Sequence, residues 1–222
     1  MAGGLSASEG SIENPLAARC GQAPELLIMR HPQTVRNLEH RYLGQGNAAL
    51  TKLGEEQRRR AVAGLADWRP DRIVSSPLER CLAIAEPAAR ELGLEAVVDP
   101  DVIELDFGEL EGLTFEEASA RGLPFPWGET VGSWPCPGGE PLERFHARCA
   151  RAARRYVRLP GRTAIVSHGG ATRALCSALM GLPDSDTWRM DVGNVCSALF
   201  TVRGPMVFLT AFGLEPEELK GR

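Results

Sequence analysis

An arginine and a histidine stand side by side at the end of the apolar run Leu26-Leu27-Ile28-Met29, in Arg30-His31-Pro32-Gln33-Thr34, with Asn37 close behind. The pattern recurs in outline: Arg80 follows Ile73-Val74-Ser75-Ser76-Pro77, and His168 follows Ala164-Ile165-Val166-Ser167. A guanidinium fork matches phosphate oxygens, while an imidazole donates one more hydrogen bond or attacks as a nucleophile. These residues, if brought together, predict a pocket for a dianion such as phosphate. A metal centre fits less well, because two arginines repel the ion and the motifs carry no carboxylate cluster to complete a coordination shell. A serine hydrolase fits poorly: there is no G-x-S-x-G elbow, and Ser167 and His168, as neighbours on a strand, would point to opposite faces.

The apolar runs read as buried strands, and ligands of open α/β sheets bind beyond the carboxyl ends of the strands. In a parallel sheet the three junctions would therefore share one edge. Helices are expected from Gly54 to Trp68 with Thr51 as cap, from Leu78 to Leu92, from Leu142 to Tyr156 and from Ala171 to Met180. Arg80 falls in the first turn of its helix, where the macrodipole is already positive; an anion beside it would explain it. Val35 to Leu50 suits a loop with one short helical turn, and Ala96 to Val98 and Val102 to Leu105 read as short strands. Leu113 to Gly139 is irregular and carries Phe115, Phe125, Trp127 and Trp134, so about 105–139 is expected to form a lid or substrate wall. Val195 to Val202 and Met206 to Ala211 read as an antiparallel hairpin at the sheet edge. The fold class is α/β, a three-layer α/β/α sandwich with a mostly parallel central sheet and an antiparallel edge.

The 222 residues are 43% hydrophobic and 24% charged, as expected of a globular domain, and no apolar run approaches the length of a membrane span. A net charge of −4 gives no general reason to bind nucleic acid or an anionic membrane, so any anion must be caught locally. The positive charge is nearly all arginine, Lys52 and Lys220 being the only lysines. Cys20, Cys81, Cys136, Cys149, Cys176 and Cys196 form no C-x-x-C pair and read as free thiols of a reducing, cytoplasmic compartment. Residues 1–24 lack an apolar core and read as a flexible tail, 25–213 as the folded domain, and 214–222 as a C-terminal tail.

Four motifs in order then resemble the histidine phosphatase superfamily, also called the phosphoglycerate mutase-like family. They are Arg30-His31-Pro32-Gln33-Thr34 with Asn37, Ser75-Ser76-Pro77-Leu78-Glu79-Arg80, Glu104 ahead of Phe107-Gly108 and Glu111-Gly112, and Ser167-His168-Gly169-Gly170. Gly139-Glu140, followed by Phe145 and Arg148, resembles the family's run before its long helix. The resemblance implies a phosphoglycerate mutase-like fold with His31 as phosphoryl acceptor and Glu104 as proton donor. It further implies that Arg30, Arg80 and His168 hold the phosphoryl oxygens, with Asn37 and the Gly169 backbone assisting. Two residues depart from the commonest form of the first motif: Pro32 stands for glycine and removes an N–H, and Gln33 stands for a carboxylate.

The activity so implied is that of a phosphomonoesterase acting on a small-molecule phosphate ester through phosphohistidine, with no metal and no cofactor. The alternatives are a cofactor-dependent phosphoglycerate mutase and a catalytically silent phosphate-binding module. A homodimer is compatible with this reading. The run from Leu179 through Gly181-Leu182-Pro183 to Trp188 and Val192 resembles the cobalamin-pathway phosphatase acting on α-ribazole phosphate.

Overall fold

The computed structural model describes residues 23–123 and 137–222. The expected tail over 1–24 and the central part of the expected lid therefore lie largely outside the described residues. One six-stranded sheet runs through the molecule in the order β3-β2-β4-β1-β5-β6. Its strands are β1 (Glu25–Arg30), β2 (Arg72–Ser75), β3 (Ala96–Val98), β4 (Arg162–Ser167), β5 (Ser197–Arg203) and β6 (Met206–Leu214). The first four are parallel, and β5 and β6 add the antiparallel edge.

The apolar runs are continuous because both faces of the sheet are covered. Successive side chains alternate: Leu26 and Ile28 enter one core with α5 (Leu142–Val157) and α6 (Gly169–Met180). Leu27 and Met29 enter the other, with α2 (Lys52–Trp68) and α3 (Glu79–Glu91). Two layers of helix thus sandwich the sheet, as the sequence predicts. Between β1 and α2 lies the single short turn α1 (Val35–Leu38), closed by reciprocal hydrogen bonds between Thr34 and Asn37. The short α4 (Phe115–Ala120) begins at a similar box formed by Thr114 and Glu117. Among the described residues no helix is long and apolar enough to cross a membrane.

Register aligns the strand ends. Arg30 pairs with Ser167, and Ser75 with Val166, so His31, His168 and Ser76 all follow their strands at one edge. Two expectations are corrected. Val102 to Leu105 is no strand: Asp99 accepts from the Asp101 N–H at 2.9 Å and starts a 3₁₀ turn over Pro100–Val102, where Pro100 cannot donate to a ladder. Residues 214–222 are no loose tail. Leu214 ends β6, a 3₁₀ turn covers Pro216–Leu219, and Leu219 is fully buried in the core against α2. Gly64 permits this, since a β-carbon there would stand 2.5 Å from the Pro216 carbonyl oxygen. Arg60 ties the same segment down through Glu215 and Glu217.

Candidate active site

His31 leaves β1 with its N–H donating to the Ser167 carbonyl at 2.8 Å, and its ring is buried. Nδ1 lies 2.7 Å from the Pro32 carbonyl oxygen, which can only accept. The ring proton therefore sits on Nδ1, and Nε2 keeps its lone pair. Burial, reinforced by the charges of Arg80 and Arg30, holds the His31 pKa well below the ordinary histidine value, so the neutral nucleophilic form prevails. Pro32 thus contributes its carbonyl to the orientation of the His31 ring. Gln33 is tied to α2: its N–H donates to Gln57 at 2.8 Å and its amide oxygen accepts from Thr51, the α2 cap, also at 2.8 Å.

Two chain segments hold the tip of β1. The Asn194 amide donates to the His31 carbonyl at 3.0 Å, and the Val195 N–H donates to the Arg30 carbonyl at 3.1 Å. Val195 adopts φ 57°, a costly conformation for a β-branched residue and a sign of backbone strain beside the site. Asn37 spends its side-chain oxygen on Thr34 N–H and Asn194, leaving its NH2 as donor.

A pocket of about 170 Å³ opens beside His31, and Arg30, Asn37, Glu104 and Gly169 are among the residues that line it. Arg30 donates through Nη1 to the Val192 carbonyl at 2.5 Å, while its buried Nε has no partner. The Gly169 N–H, at the start of α6, has none among the described residues either. The next two amides of α6 are used: Gly170 N–H donates to Glu104 at 2.9 Å and Ala171 N–H at 3.1 Å. With the Leu105 N–H at 2.9 Å, they seat the Glu104 carboxylate on the positive end of the helix.

Arg80 and His168 are brought to this site but do not form the pocket wall. Each Arg80 nitrogen makes one bond, to the carbonyls of Gly46 and Gly44 at 2.8 and 2.6 Å and to His168 Nδ1 at 3.2 Å, which leaves one further N–H on each terminal nitrogen. Since Arg80 must donate, His168 carries its proton on Nε2, 2.6 Å from the Ser76 hydroxyl. Burial and Arg80 hold the His168 pKa well below the ordinary value. Its ring lies 5.2 Å, centroid to centroid, from that of His31. Burial pushes the adjoining Cys81 thiol up to about 12, so it contributes no thiolate.

Three residues position the site without having been assigned a role from the sequence, two of them inside quoted motifs. Gly170 is one: a β-carbon there would stand 2.5 Å from Glu104 Oε1. Arg148 is the second in function, although its motif was visible. It pairs with Glu140 at 2.8 and 2.9 Å and donates to the carbonyls of Ile103 and Glu104 at 2.6 and 2.9 Å, fixing the segment that carries Glu104. Asn194 is the third, and nothing in its neighbourhood signals it. A pocket-lining arginine, Arg173, also went unread; its signal is the four-residue spacing from Gly169, which puts both on one helix face.

Comparison with known proteins places these residues in context. The family model described as histidine phosphatase superfamily (branch 1) matches residues 26–212. A bifunctional protein of Mycobacterium tuberculosis is 40% identical over 144 residues, covering 62% of this chain but only 38% of that protein. A probable phosphoglycerate mutase of Erwinia tasmaniensis is 31% identical over 177 residues, covering 78% of this chain and 82% of that protein. Among solved structures, a mycobacterial glucosyl-3-phosphoglycerate phosphatase complexed with VO3 superposes with a TM-score of 0.75 at 26% identity, covering 85% of this chain and 98% of that one.

Proposed function

Because the chain belongs to the histidine phosphatase superfamily, we propose that it is a phosphomonoesterase that hydrolyses a small-molecule phosphate ester through a phosphohistidine on His31. The observation that carries this reading is the His31–Pro32 hydrogen bond, which leaves Nε2 as a neutral nucleophile inside a pocket with unspent donors. The phosphatase neighbour supports hydrolysis.

In the first half-reaction Nε2 attacks phosphorus, the phosphorus–oxygen bond to the alcohol breaks, and Glu104 as carboxylic acid protonates the departing oxygen. Arg30 and the Gly169 N–H face the phosphoryl oxygens, and fixed donors of this kind stabilise the charge that develops there. In the second, Glu104 as carboxylate takes a proton from water as that water attacks phosphohistidine, releasing inorganic phosphate and restoring His31. Neither step calls for a metal. Arg80 and His168 act on the nucleophile by orientation and charge in the arrangement seen. His168 would reach a phosphoryl oxygen by giving up its bond to Ser76, and Arg80 through the second N–H of a terminal nitrogen.

The test is to quench the protein seconds after mixing with a labelled phosphoester and to look for acid-labile, base-stable label on His31. Label on the wild type, none on His31→Ala and full turnover in excess chelator are expected; metal-dependent turnover surviving His31→Ala would sink the proposal. The mutase reading draws on the relatives named phosphoglycerate mutase. Isomerisation of 3-phosphoglycerate with its bisphosphate cofactor, faster than its hydrolysis, would favour that reading.

A further inference from the structure

The pocket wall contains a charged group that the scheme above leaves idle. Arg173, on α6, donates through Nε to the Met190 carbonyl at 2.6 Å, and that bond fixes the guanidinium in place. Its terminal nitrogens have no hydrogen-bond acceptor among the described residues. The nearest acid, Asp191, is 4.0 Å away and fully exposed, so solvent screens most of that attraction.

Arg173 is also close to Arg30. A β-carbon built on Gly169 would lie 3.1 Å from Arg173 Nη1 and 3.4 Å from Arg30 Cζ, so both guanidiniums close on one spot beside the unspent Gly169 N–H. Two cations crowded in a partly desolvated pocket repel each other, and burial together with Arg173 depresses the Arg30 pKa. The nearby Glu104 carboxylate is already held by three backbone amides. Glu104 and Asp191 offset part of the charge of both arginines, yet among the described residues no side chain accepts from the terminal nitrogens of Arg173, so the cluster keeps unspent donors.

We propose that Arg173 is a phosphoryl ligand, forming with the Arg30 guanidinium and the Gly169 N–H the donor set that grips the transferred phosphoryl oxygens. This rests on the phosphate-ester reading of the site and adds to it a third guanidinium. A single dianion between the two arginines satisfies both forks and removes their repulsion. A carboxylate elsewhere on the substrate is the rival occupant, and it predicts a different pattern of losses.

The test uses the full chain with Arg173→Gln and Arg173→Lys. Thermal unfolding is followed with and without inorganic phosphate, and steady-state kinetics with p-nitrophenyl phosphate, which has no carboxylate, and with 3-phosphoglycerate. Without phosphate, Arg173→Gln should melt no lower than wild type, since it relieves repulsion. Its phosphate affinity should fall at least about tenfold, and kcat/KM on both esters should fall together by about a hundredfold, with Lys recovering only part. Wild-type phosphate affinity in Arg173→Gln, or a loss confined to 3-phosphoglycerate, would overturn the assignment. A wild type that phosphate does not stabilise would overturn the phosphate site itself, a separate result.

Discussion

Residue 170 has no β-carbon, and Glu104 occupies the space one would fill: Gly170 N–H donates to Oε2 at 2.9 Å while Oε1 would stand 2.5 Å from a methyl group there. Gly170→Ala should therefore fold and yet displace the carboxylate. Its kcat/KM should drop by about a hundredfold or more, the scale of losing a positioned proton-transfer group. If Glu104 protonates the leaving oxygen, Glu104→Gln and Gly170→Ala should both slow an alkyl phosphate far more than an aryl phosphate. Rate measurements on the two esters check this, and equal losses would refute the role.

Arg148 and Glu140 form an almost fully buried pair that braces the carbonyls of Ile103 and Glu104. Removing one partner strands a buried charge, so Arg148→Met should cost about 3–5 kcal/mol in urea unfolding. The double variant Arg148→Met/Glu140→Leu should recover part of that stability but not the activity, because the Glu104 carbonyl still lacks its donor.

Leu219 is fully buried, in a segment that would pass for a tail. Leu219→Ala should destabilise the protein by about 2–5 kcal/mol with little change in kcat of the folded fraction. Calorimetry together with active-site titration would separate the two effects.

Three buried histidines, His31, His146 and His168, have pKa values held below the ordinary one, chiefly by burial. Below the unfolded value near 6.5 the unfolded chain takes up protons that the native state refuses, so stability falls as pH drops through that region. Each group adds a slope of up to about 1.4 kcal/mol per pH unit down to its own lowered pKa. Denaturant melts at pH 7.5 and 5.5 should show this loss, and His168→Asn should make it shallower.

The strands and their charged tips were legible because burial on both faces leaves uninterrupted apolar runs, and a charge ending such a run stands out. Arg80 was legible for a related reason, as a cation at a helix start. Glu104 was not separable by pattern from Glu109, Glu111, Glu116 and Glu117; only the motif resemblance singled it out. Its place depends on amides of α6 more than sixty residues away, which no local period encodes. Asp99 likewise turned Val102 to Leu105 away from strand, and Gly64 made room for Pro216, through contacts that the sequence near either segment does not announce.

The sheet order has a consequence for biosynthesis. His31 follows β1 directly, yet among the described residues β1 has β4 and β5 as its sheet neighbours, both far downstream. A nascent chain leaving the ribosome thus exposes Leu26-Leu27-Ile28-Met29 as an unpaired apolar strand until residues beyond Arg162 have emerged. At about 5–20 residues per second that exposure lasts several seconds or more, long enough for a chaperone, or another unfinished copy, to engage it.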